Sequence, residues 1–162
     1  MFKIGDYVVY GSRGVCQVKT IGHPEAAQDN RQYYTLEPVN VTGSRVFTPV
    51  DNQKTVIRSV ISKNEAKSLI ANADKLEAYN ITAEKQREDV YNNALKSCDC
   101  TEALRIIKTL KTRNDTRQLQ GKKATVKDEQ YLKKAEEALY SELTVVLNID
   151  RDKLVKRLNE II

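Results

Sequence analysis

The sequence predicts an α+β chain in which a small β-barrel module over about residues 1–58 leads into an all-helical module over about residues 60–162. Three observations predict this order. Short β-branched and aromatic runs, separated by glycine-bearing turns, are confined to the first 60 residues. From Ser62 onward the chain has one glycine, Gly121, and no proline. Over that second part the apolar residues recur at three-and-four spacing, the period of a helix with one buried face.

The first strand pair organises the β module. Gly5-Asp6 is a turn signal, because glycine reaches backbone angles closed to other residues and aspartate bonds to nearby backbone. Tyr7 to Tyr10 is a run of strand length, Gly11 to Gly14 a short loop, and Val15 to Ile21 resumes strand character. The stretch 22–30, with Gly22 and Pro24, reads as a loop. Arg31 to Val39 is a third strand and Arg45 to Val50 a fourth, with a turn at Gly43 between them. Pro49 has no amide hydrogen, so the fourth strand is expected at an edge or a bulge. Thr55 to Arg58 is a short fifth strand. Five short strands in under 60 residues make a small barrel of the Tudor or SH3 kind, or a strongly bent sheet.

In the second module Ser62-Lys63-Asn64-Glu65 is a capping box, in which serine and glutamate satisfy each other's orphan amides. Thr82, Asp99 and Thr125 are further start signals. They predict helices near 63–72, 83–97, 100–118, 126–147 and 151–161. Leu132, Ala135, Leu139, Leu143 and Val146 form one packing stripe, and Leu154, Leu158 and Ile161 another.

Composition bounds the function. Apolar residues at 40% and charged residues at 30% describe a folded, soluble protein, and no apolar run spans a bilayer. Three cysteines and no leader pattern point to the cytoplasm. The net charge of +5 is unevenly placed. Residues 1–59 hold 7 basic and 5 acidic residues, whereas residues 105–123 alone hold 7 basic residues against Asp115, a local +6. Such a concentration is either a polyanion-binding face or a solvated helix surface.

No catalytic constellation assembles. His23 is the single histidine and lies in a loop without a nucleophile beside it. Cys98-x-Cys100 lacks the second ligand pair of a tetrahedral site and reads as reduced thiols, and Cys16 reads as core. Gly11-x-x-Gly14 is too short to cradle a phosphate. The expectation is a binding protein that is not an enzyme, with no metal, cofactor or small-molecule substrate.

The opening stretch Phe2-Lys3-Ile4-Gly5-Asp6-Tyr7-Val8-Val9-Tyr10 through Gly14 resembles the CarD family of bacterial transcription regulators, whose first motif is close to F-x-x-G-D-x-V-V-Y-x-x-x-G. The same module occurs in transcription–repair coupling factors. The likeness continues in Arg87, Leu95, Ser97 and Asp99, in Tyr131-Leu132-Lys133-Lys134-Ala135, and in Ser141-Glu142-Leu143. It implies a β module that docks on the RNA polymerase β subunit through a strand edge, and a helical module that touches promoter DNA next to the melted region. The implied action is stabilisation of the open promoter complex.

On the fourth strand, alternation puts Arg45, Phe47 and Pro49 on one face and Val46 and Thr48 on the other. Phe47 faces either solvent or core, and the resemblance favours solvent. Arg45, Val46, Phe47, Thr48 and Pro49 are therefore the candidate polymerase-binding residues. With Ile106, Ile107 and Leu110 inward, Arg105 and Lys108 project on the opposite side and Lys111 flanks the apolar face. Together with Lys85, Arg87, Lys122 and Lys123, they are the candidate DNA-contacting residues, through phosphates rather than base edges. Many members of the family place a tryptophan before the second long helix as a wedge at the opened DNA. This chain has no tryptophan, and Glu84 falls at or beside that position, with Tyr79 five residues earlier. Two other readings remain open: a KOW-like RNA- or ribosome-binding protein, and an architectural DNA-binder without polymerase contact.

Overall fold

A computed structural model describes residues 1–162, which divide into two units, Met1–Val60 and Ile61–Ile162. The first unit carries strands β1 (Tyr7–Tyr10), β2 (Val15–Gly22), β3 (Tyr33–Pro38), β4 (Val46–Pro49) and β5 (Ile57–Ser59). They form one antiparallel sheet in the order β4-β3-β2-β1-β5. No ladder joins β4 to β5, so the sheet is open and the expected barrel does not close by strand pairing. Both edge strands are short, β4 with 4 residues and β5 with 3.

Val8, Cys16, Val18, Tyr34 and Leu36 form the core of this unit, with Phe2, Tyr10, Ile21, Val46, Val50 and Ile57 packed against them. Burial pushes the Cys16 thiol up to about 11, so it acts as a small apolar side chain. The inward set of β2 changes parity, from Cys16 and Val18 to Ile21, because the register shifts between Val18 and Thr20. Lys19 is the extra residue of this bulge. The turn before β1 is closed by the Asp6 carboxylate, which accepts from the Lys3 N–H at 2.8 Å. Gly11 has φ +45, and a Cβ there would come within 2.6 Å of Thr55 Cγ2, so only glycine fits.

The second unit carries α1 (Lys63–Ala71), α2 (Arg87–Lys96), α3 (Cys100–Leu119), α4 (Val126–Leu147) and α5 (Arg151–Ile161). Ser62 and Glu65 make the capping box of α1, Asp99 caps α3, and Thr125 caps α4. Thr82, by contrast, caps nothing. A 3-10 turn over Glu84–Gln86 comes first, and α2 begins at Arg87 without a side-chain cap. The Glu84 carboxylate is instead held by Arg87 and Arg113. Leu104, Ile106, Ile107 and Leu110 of α3, Leu139 and Leu143 of α4, and Leu154 and Leu158 of α5 are fully buried. They carry the apolar stripes expected from the spacing, joined by Leu104, while Leu132 and Ile161 at the ends of those stripes are half-buried; α3 and α4, linked by residues 120–125, pack on one another. No helix is long and apolar enough to cross a membrane.

Candidate functional site

Two regions gather the candidate residues, one in each unit. In the first, β4 is an edge strand whose side chains alternate as its sequence requires. Thr48 is buried and Val46 packs on the core, while Arg45 is exposed and Phe47 is 49% exposed. Phe47 thus stands outward. The Val50 N–H donates to the Gln32 carbonyl at 2.9 Å, and the register pairs Thr48 with Tyr34 and Val46 with Leu36. In an antiparallel ladder the hydrogen-bonded pairs alternate, which leaves the Phe47 amide on the free side of the strand. Pro49 falls on that same side, where its missing N–H costs no ladder bond. An aromatic ring beside an open amide and an arginine is a surface suited to an added strand or an aromatic anchor.

In the second unit the basic run of α3 separates into two halves. The Lys108 ammonium donates to three backbone carbonyls, those of Ala73 at 2.8 Å, Asp74 at 3.1 Å and Leu76 at 2.6 Å. All three of its donors are thereby used. Arg105 donates from Nε to the Glu77 carbonyl at 3.1 Å, and its guanidinium lies 4.0 Å from the Tyr79 ring centroid. Thr109 Oγ1 accepts from the Tyr79 N–H at 2.8 Å and donates to the Arg105 carbonyl. Arg105 and Lys108 do point away from the apolar stripe, but onto the segment 73–79, which they hold against α3. Lys111 donates to the Asn159 side chain on α5.

Further along α3, Arg113 bridges Glu84 at 2.7 Å and the buried Asp128 at 2.8 Å. Both acids raise the Arg113 pKa against the opposing effect of burial, which is the largest. Arg87 bonds Glu84 at 3.1 Å and also the hydroxyl of buried Tyr91. Beyond this network, Lys85, Lys122 and Lys123 are exposed, and none of their side chains makes a hydrogen bond or ion pair. Arg117 keeps part of its guanidinium free while its Nε donates to the Lys123 carbonyl at 3.0 Å. Glu84 meets α3 at Arg113, one turn before Arg117. Lys85 follows Glu84 in the chain, and Lys122 and Lys123 follow the end of α3.

Of the candidate DNA-contacting residues, then, Lys85, Lys122 and Lys123 have unengaged side chains, whereas Arg87, Arg105, Lys108 and Lys111 have partners inside the unit. Tyr79 packs beneath Arg105. Sequence reasoning did not anticipate the position of Glu142. It is 2% exposed and accepts from the Ile61 N–H and from the Cys100 thiol, both at 2.9 Å. Its place as the one charged residue of the stretch 138–147 of α4 was the available signal. No group of histidine, cysteine and acidic residues is arranged to hold a metal ion.

Comparison with known families accounts for both units. The model of the CarD-like/TRCF RID domain matches residues 2–61. The model of the CarD C-terminal domain matches residues 72–159. Domains of these kinds belong to transcription-associated proteins that interact with RNA polymerase. No curated protein matches the chain.

Proposed function

The chain belongs to the CarD family, and from that premise we propose that it joins RNA polymerase to promoter DNA and prolongs the life of the open complex. The β unit docks on the polymerase β subunit through the outer side of β4, with Phe47 as the anchor and Arg45 beside it. The helical unit contacts DNA phosphates upstream of the melted region through Lys85, Lys122 and Lys123, with Arg117 next to them. These contacts need no base recognition, because ammonium groups on an exposed turn read charge and spacing alone. Two contacts carried by one chain raise each other's effective concentration, so neither has to be strong by itself.

The observation that carries this reading is the outward Phe47 on a strand edge, inside the residues matched by the CarD-like/TRCF RID domain. An aromatic side chain that is 49% exposed on an edge strand contributes little to its own core and has an open amide beside it. The test uses the full chain. Phe47→Ala should weaken retention of RNA polymerase on the immobilised protein by roughly tenfold or more, as expected for an aromatic anchor, and leave affinity for free DNA unchanged. Undiminished polymerase retention by a folded Phe47→Ala protein contradicts the assignment.

A further inference from the structure

We propose that the turn between α3 and α4 enters a groove of duplex DNA, with Leu119 as the apolar contact at its tip and Lys122 and Lys123 on the flanking phosphates. This rests on the DNA-contact reading above and adds to it a residue and a mode of engagement. Leu119 is 91% exposed and Val126, on the other side of the turn, is 69% exposed. Leu119 is the last residue of α3 and Val126 the first of α4. Neither takes part in the packing that buries the rest of the apolar stripe on these helices.

The turn that presents Leu119 is firmly built. The N–H groups of Gln120 and Lys122 both donate to the Arg117 carbonyl, at 3.0 and 2.8 Å, and the Gly121 N–H donates to the Gln118 carbonyl at 3.0 Å. This is the double closure of a helix end through a left-handed residue, and Gly121 at φ +73 supplies it. The Arg117 Nε bond to the Lys123 carbonyl ties the far side of the turn to the helix. A leucine held out on such a turn is preorganised, so little ordering opposes its contact with a partner.

Charge selects the partner. From Thr116 to Lys127 the chain carries Arg117, Lys122, Lys123 and Lys127 and no acidic residue. One of these, Lys127, pairs with Glu88 at 2.9 Å, which leaves three cations around the tip. An apolar point with three cations on the same turn matches a duplex groove, whose walls are phosphate and whose floor offers stacked base edges. Leucine is among the side chains that enter the minor groove and part a base step. An apolar protein groove would leave those cations unpaired, and a membrane surface would meet only two apolar side chains.

The experiment measures binding of the full chain to a short duplex bearing 2-aminopurine, over a range of salt. Leu119→Ala should bind roughly five- to tenfold more weakly, with an unchanged salt slope, because leucine burial is offset only in part by unstacking. Wild-type protein should raise the 2-aminopurine fluorescence, and Leu119→Ala should not. Lys122→Glu with Lys123→Glu should instead flatten the slope. If Leu119→Ala binds and unstacks like wild type while the lysine variant loses binding, the tip assignment falls and the DNA reading stands. If Leu119→Ala weakens only polymerase retention, the tip belongs to a protein contact and the proposal is overturned. Wild-type protein without salt-dependent duplex binding removes the DNA reading and the tip with it.

Discussion

Arg105, Lys108 and Lys111 lie on the first part of α3, and Arg117, Lys122 and Lys123 lie at its end and in the turn beyond. The two sets are alike in charge, three basic residues each. In the first, the cations take up carbonyls of the 73–79 segment, the face of Tyr79 and the side chain of Asn159. In the second, two ammonium groups have no partner, and Arg117 keeps part of its guanidinium free. The carbonyls that end a helical turn lack intrahelical partners, and a nearby lysine is well suited to satisfy them. Local charge density therefore does not separate a structural cation from one available to a ligand. Its surroundings do.

The contrast breaks most visibly at Lys108. Lys108→Met keeps the stem and removes three bonds to carbonyls, so it should lower unfolding stability by roughly 2–3 kcal/mol. Urea unfolding checks the size, and the slope of DNA affinity against salt should not change. Replacing both Lys122 and Lys123 by Glu should do the reverse. Stability should stay within about 0.5 kcal/mol, while DNA affinity falls at least about tenfold and the salt slope drops by about 2. A smaller effect is expected at Thr109→Val, which removes the acceptor for the Tyr79 N–H and should cost about 1 kcal/mol by the same urea titration. Among the substitutions that break a contact inside the helical unit, the smallest change in stability belongs to Glu84→Trp. Its carboxylate is 69% exposed, so loss of its pairs with Arg87 and Arg113 should cost under about 1 kcal/mol. At that position an apolar ring should lengthen the lifetime of promoter complexes, measured by competitor challenge, without altering affinity for free polymerase.

Much of the fold is legible in the sequence because its signals are local. Ser62 with Glu65, Asp99, and Thr125 each act within three residues, and they mark the starts of α1, α3 and α4. Glycine at Gly5 and Gly11 and the missing amide of Pro49 likewise describe their own surroundings. What stays hidden depends on partners distant in the chain. Lys108 meets Ala73, Glu84 meets Arg113, and Ile61 meets Glu142, each across a fold that periodicity alone does not specify. Lys19 escapes for another reason: an inserted residue inside a β-prone run leaves its composition unchanged, yet it reverses which side chains face inward. Alternation groups Phe47 with Arg45 and Pro49 but does not say whether that face meets core or solvent; the burial of Thr48 on the other face settles it. The division of the α3 cations does not follow from sequence at all.

The proposed bridge requires one chain to hold polymerase and DNA together. Its most direct test is the lifetime of polymerase–promoter complexes, measured by competitor challenge, with wild-type protein, Phe47→Ala, the Lys122→Glu and Lys123→Glu pair, and all three substitutions combined. A bridge fails when either end is released. Each variant should therefore remove most of the added lifetime, and the combination should remove little more, a strongly non-additive cycle. Independent, additive losses, or a full lifetime with the lysine pair reversed, would contradict it.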